Sequence, residues 1–91
     1  MNRFFCIGKV LKDVNYGFLV QPKVFAAADT LLEIQEYYNS KNKIIIKIKG
    51  FNNIADKMYR YLDKNVKILL VGQLLTNGYV QVINFKILEH D

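Results

Sequence analysis

Apolar positions along the chain come in short runs separated by turn-forming residues. Phe4-Phe5-Cys6-Ile7 followed by Val10-Leu11 reads as a first strand buried on both faces, and Gly8 between its halves predicts a bulge or sharp bend. Lys12-Asp13-Val14-Asn15-Tyr16-Gly17 has the turn chemistry to end it, and Phe18-Leu19-Val20 is a short extended piece that stops at Gln21-Pro22. In Lys43-Ile44-Ile45-Ile46-Lys47-Ile48-Lys49 alternation is plain: Ile44, Ile46 and Ile48 share one face, while Lys43, Ile45, Lys47 and Lys49 share the other. One face is greasy and the other cationic.

Between these strands, residues 23–38 support two readings. Residues 25–36 have good helix propensity, whereas residues 30–38 also suit a strand. The turn cluster Asn39-Ser40-Lys41-Asn42 before the lysine strand favours a hairpin from Leu31 to Lys49. Gly50 is expected to break that strand. Asn52 or Asn53 can then cap a helix whose apolar positions Ile54, Ala55, Met58, Tyr61 and Leu62 recur at three- and four-residue spacing, with Asn65 as a left-handed cap at its end. Residues 66–75 are nearly all apolar and read as a central strand. Asn77-Gly78 predicts a tight hairpin that lays residues 79–88 antiparallel to it. The expected order is β-β-β-α-β-β.

The length of 91 residues bounds the chain to one domain with a modest core, and 52% hydrophobic with 23% charged residues is the profile of a folded chain. The formal charge of +5 suits a polyanionic partner. One cysteine, Cys6, precludes an internal disulfide, and with the single His90 it makes no zinc set. The five-residue apolar run after Arg3 is too short for a signal-peptide core or a membrane span, so a soluble, cytoplasmic protein without membrane contact is expected. No phosphate loop, carboxylate pair or nucleophile with a base stands out, so neither catalysis nor a cofactor is expected. Cys6 lies inside an apolar strand and reads as a core thiol.

Residues 37–51 hold Tyr37, Tyr38, Lys41, Lys43, Lys47, Lys49 and Phe51, with no acidic residue between Glu36 and Asp56. Single-stranded nucleic acid offers flat bases and a phosphate chain, and a surface that binds it needs exposed rings and ammonium groups. The same lysines could instead simply solvate the outer face of a hairpin and discourage edge pairing. The residues alone leave both readings open.

Asn2-Arg3-Phe4-Phe5-Cys6-Ile7-Gly8-Lys9-Val10 resembles the opening strand of bacterial single-stranded DNA-binding proteins. Phe51, Ile54-Ala55-Asp56, Tyr61-Leu62, Lys64 and Gly72-Gln73-Leu74 resemble that family's helix and fourth strand without a gap. The resemblance implies an OB-fold, an all-β five-stranded Greek-key barrel with one helix between strands three and four, spanning residues 1–91 as one domain. It also implies that residues 31–38 are strand, that the protein binds single-stranded DNA without sequence preference in replication, repair or recombination, and that it forms a homo-oligomer, dimer or tetramer. Phe51 aligns with a base-contacting aromatic of the family, Tyr37 and Tyr38 lie near another, and Ile45 occupies a position where an aromatic is common. Phe51, Tyr37 and Tyr38 are the expected stacking platforms, Lys43, Lys47 and Lys49 the expected phosphate contacts, and only one of the two tyrosines can face the ligand on a regular strand. The departures are a last hairpin reduced to Thr76-Asn77-Gly78, the absence of tryptophan, and an ending at Glu89-His90-Asp91 with no acidic-tipped extension, so recruitment of proteins through such a tail is not expected. RNA-binding and protein-interaction OB domains are the competing functional readings.

Overall fold

The computed structural model describes residues 3–20, 23–35 and 42–90. Six strands and one helix follow in the order β1 (Arg3–Val10), β2 (Asn15–Leu19), β3 (Phe25–Gln35), β4 (Lys43–Phe51), α1 (Asn53–Tyr61), β5 (Lys67–Leu74) and β6 (Val80–Glu89). β1 pairs with β5, β5 with β6, β6 with β4 in parallel, β4 with β3, and β3 again with β1, so five strands close on themselves. This is the five-stranded Greek-key barrel of the OB-fold, with α1 between the third and fourth barrel strands. β2 takes in Asn15, Tyr16 and Gly17, expected as turn, with Phe18 and Leu19 of the expected extended piece, because their backbone pairs with β3; it is a sixth strand that prolongs the edge of β3 where β1 leaves it. Its register runs from Asn15 opposite Asp29 to Leu19 opposite Phe25.

Closure is made at the end of β1. Lys9 pairs with Lys67 on one side and with Glu33 on the other, and Val10 lies opposite Leu32. Gly8 produces no bulge, because the β1–β5 register runs unshifted from Arg3 to Lys9. The position is crowded instead: a Cβ there would come within 2.7 Å of Leu32 Cγ and 2.8 Å of the Glu33 carbonyl oxygen. Gly50 likewise does not break its strand. It stays paired with Ala28 inside β4, and the missing side chain lets α1 settle on the barrel, where a Cβ would stand 2.5 Å from Met58 Sδ and 2.8 Å from Ile54 Cγ2.

Val10, Ala28, Leu32, Ile48, Ala55, Met58, Leu62, Ile68 and Leu70 form the centre of the core. The only buried polar side chain among the described residues, Thr30, donates to the Lys12 carbonyl at 2.7 Å, so its hydroxyl is satisfied. α1 turns Ala55 and Met58 inwards, and Leu62 just past its end is buried too, but Tyr61 is half exposed, lying at the margin of the apolar stripe. Asn52 occupies the position before the helix without a side-chain cap, and Asn65, left-handed as expected at φ 77°, stands beyond the actual end of the helix and donates to the Val10 carbonyl.

Two expectations about faces change. Residues 25–30 join β3 despite their helix propensity, because Ala26, Ala28 and Thr30 are buried under the helix and barrel while β2 pairs with residues 25–29 and β4 with residues from 27 onward. β1, expected to be buried on both faces, is buried on one only: Phe5 is 72% exposed and Ile7 49%. A single-layered barrel wall has an outer side that the same chain does not cover. No helix among the described residues is long and apolar enough to cross a membrane.

Candidate nucleic-acid interface

Strand alternation places Lys43, Ile45, Lys47, Lys49 and Phe51 of β4 on the outer side, while Ile48 and Gly50 turn into the barrel. Ile46 is half-buried, and Ile44 is mostly exposed because the strand there has run past the core. Ile45 is 58% exposed, an apolar residue offered to solvent between two lysines. Phe51 is half-buried and outside the core cluster. Its ring centroid lies 6.0 Å from that of Phe25, with the planes at 54°. The two rings prop each other, leaving part of each open.

Cations and a third ring surround this pair. The Lys49 ammonium lies 5.9 Å from the Phe51 ring centroid and 5.1 Å from that of Tyr79, and the Lys47 ammonium is 5.8 Å from the Tyr79 ring. Tyr79 is brought there by the Asn77-Gly78 turn, which is closed by hydrogen bonding between the Leu75 N–H and the Tyr79 carbonyl at 2.8 Å. A ring pair, a neighbouring phenol and two ammonium groups thus share one surface, with the geometry that base stacking and phosphate contact require.

Sequence reading had not singled out Phe25 or Tyr79. Phe25 lay before the expected start of its strand. The β3–β4 register ends with Ala27 opposite Phe51, and Phe25, two residues further along β3, meets Phe51 diagonally. Two carboxylates were missed as well, because the acid-free stretch of sequence is not acid-free in space. Glu33 approaches Lys43 at 3.8 Å, and Asp29 is the cross-strand partner of Lys49. Lys43 is therefore partly neutralised, whereas Lys47 faces the apolar Leu31. Tyr37 and Tyr38 lie outside the described residues.

Elsewhere, burial pushes the Cys6 thiol above its ordinary value, which suits a core thiol. On the other side of β2, Tyr16 donates to Asp56 Oδ1 at 2.6 Å and stacks on Tyr59 at 4.7 Å, tying the extra strand to α1.

The architecture recurs among solved proteins. Its fold is that of single-stranded DNA-binding proteins. The SSB domain of a Synechococcus protein superposes with a TM-score of 0.82 at 16% identity, covering 93% of each chain. The single-stranded DNA-binding protein of Thermus aquaticus superposes at 0.79 with 15% identity, and a deletion variant of it at 0.81 with 16%. All of the present chain is covered in both, and it spans 42% of the Thermus protein's length. No protein-family model and no curated protein matches the sequence.

Proposed function

We propose that the protein binds single-stranded DNA without sequence preference and without turnover or cofactor, protecting it in the cytoplasm during replication, repair or recombination. The observation that carries this reading is the surface formed by Phe25, Phe51 and Tyr79 with Lys47 and Lys49, which stands outside the core on the face predicted from the lysine strand. Rings that neither pack the core nor lie alone are poor candidates for simple solvation of a hairpin. The likeness to single-stranded DNA-binding proteins supports the same assignment.

The proposal includes assembly into a homo-oligomer, dimer or tetramer, through the outer side of β1 and β5. There Phe5 lies opposite Val71 and Ile7 opposite Leu69, a block of four apolar side chains.

Anisotropy titrations with labelled dT, rU and duplex oligonucleotides at two salt concentrations test the reading. Single strands should bind more tightly than duplex, since rings stack only on bases already unpaired. Equal affinity for duplex would remove stacking from the account, preference for rU would point to RNA, and no binding to any of them would favour a protein-interaction domain.

A further inference from the structure

Beside Phe51 the sheet has a gap. In the row that crosses β2, β3 and β4, Gly17 lies opposite Ala27 and Ala27 opposite Phe51, so a hydrogen and a methyl stand next to a phenyl ring. The next row is Asn15, Asp29 and Lys49. These rows border an open cleft of about 170 Å³, whose lining includes Asn15, Gly17, Leu19, Ala27, Asp29 and Lys49 and is completed by Tyr16 and Phe18. Clefts for drug-sized ligands are roughly 300–1,000 Å³, so this one suits a single ring system.

Asp29 is the unusual member. It is half-buried and faces Lys49 across the strands, yet the Lys49 ammonium lies over the rings of Tyr79 and Phe51, at 5.1 and 5.9 Å. Among the described residues the Asp29 carboxylate takes part in no ion pair or hydrogen bond. A carboxylate here repels phosphate, so on a surface for a polyanion it needs another use. Its chemistry is to accept N–H donors, with two oxygens side by side.

We propose, on the basis of the single-strand reading above, that this cleft is a subsite for one guanine base. A base stacked at Phe51 and lying over Gly17 and Ala27 brings its Watson–Crick edge to the row of Asn15, Asp29 and Lys49. Guanine carries two adjacent N–H donors on that edge, the ring N1–H and the 2-amino group, which match the two oxygens of Asp29. Its neighbouring O6 accepts from an ammonium, which Lys49 can supply. Adenine and cytosine offer a single exocyclic amine there, and thymine offers one N–H between two carbonyls that oppose a carboxylate. The subsite adds a local preference to a surface that otherwise reads no sequence.

The test is a titration of the full chain with oligo-dT carrying one central dG, dI, dA or dC. The dG oligonucleotide should bind about five- to tenfold more tightly than plain oligo-dT, the low end for a bidentate contact between a side chain and a base. Inosine, which lacks the 2-amino group, should lose most of that gain. Asp29→Asn should reduce the dG-to-dT ratio to about one. Gly17→Leu, a side chain entering space where a Cβ meets nothing within 4 Å, should do the same by filling the cleft. Melting curves verify that both variants fold. A wild-type ratio of one, or a dG advantage that survives Asp29→Asn, would overturn the subsite. Failure of every oligonucleotide to bind would instead overturn the single-strand reading beneath it.

Discussion

Phe25 and Phe51 hold their ring centroids 6.0 Å apart from neighbouring strands, and neither belongs to the buried core. Phe51→Ala should therefore cost about 1–3 kcal/mol of binding to single strands, roughly five- to 150-fold in affinity, with a small change in melting temperature. Phe51→Tyr should preserve binding, because a phenol stacks much as a phenyl does, and Phe51→Leu should not. A steep fall in melting temperature for Phe51→Ala, with unaltered affinity in the folded fraction, would place the ring in the core instead.

Salt dependence measures the lysines. Each phosphate contact on a single strand contributes about −0.7 to the slope of log affinity against log salt. Lys47 and Lys49 have no ion pair among the described residues, unlike Lys43 with Glu33, so reversing both to Glu should reduce the magnitude of the slope by about 1.4. An unchanged slope would assign them to solvation of the strand.

Phe5 is mostly exposed on a single chain, so Phe5→Glu should leave the protomer folded while splitting the oligomer. Burying a phenylalanine side chain contributes about 1.5–3 kcal/mol, and a two-fold interface counts it twice. Sedimentation should show a dimer or tetramer for the wild type and monomer for the variant at tens of micromolar. A monomeric wild type would refute the interface.

Gly50→Ala should destabilise the fold by about 1–3 kcal/mol, the usual cost of overpacking, since its methyl would meet Met58 Sδ and Ile54 Cγ2 within 2.8 Å. Thermal unfolding reads the loss directly. An unshifted melting temperature would mean that α1 can move off the barrel freely.

Tyr16 gives a pH signature. Its hydrogen bond to Asp56, with burial next, raises the phenol above its ordinary value near 10. The protonated form is thus favoured in the folded state. The stabilisation it adds is complete below the unfolded phenol's value and disappears as pH rises through the higher folded value. Tyr16→Phe should melt below the wild type by a constant margin between pH 7 and 9, and the margin should shrink above about pH 10. A margin independent of pH across that range would remove the hydrogen bond as its source.

The strands and their faces were legible where alternation is strict. Ile46 and Ile48 against Lys47 and Lys49 sort themselves by side, because a period of two admits one arrangement on a sheet with one buried face. The Asn77-Gly78 turn and the helix over Ile54, Ala55 and Met58 were legible for the same kind of local reason, the turn's backbone geometry and the helix's 3.6-residue period. Together with the net charge and the lysine-aromatic stretch, the local pattern determined a small β-rich domain with a cationic strand, and the resemblance to a known family implied its closure into a barrel. What it could not determine is what comes alongside from elsewhere in the chain. Residues 25–30 prefer helix by themselves and become strand because β2 pairs with residues 25–29 and β4 with residues from 27 onward. Phe25 joins Phe51, Tyr79 joins Lys47 and Lys49, and Asp29 enters the lysine face only through cross-strand register. Gly8 and Gly50 look like breaks in sequence, but barrel closure and the seating of α1 make them sites of close approach. Side-chain alternation is a property of a residue and its neighbours along the chain, whereas the composition of a surface depends on which strands pair and in what register, and only the closed barrel decides that.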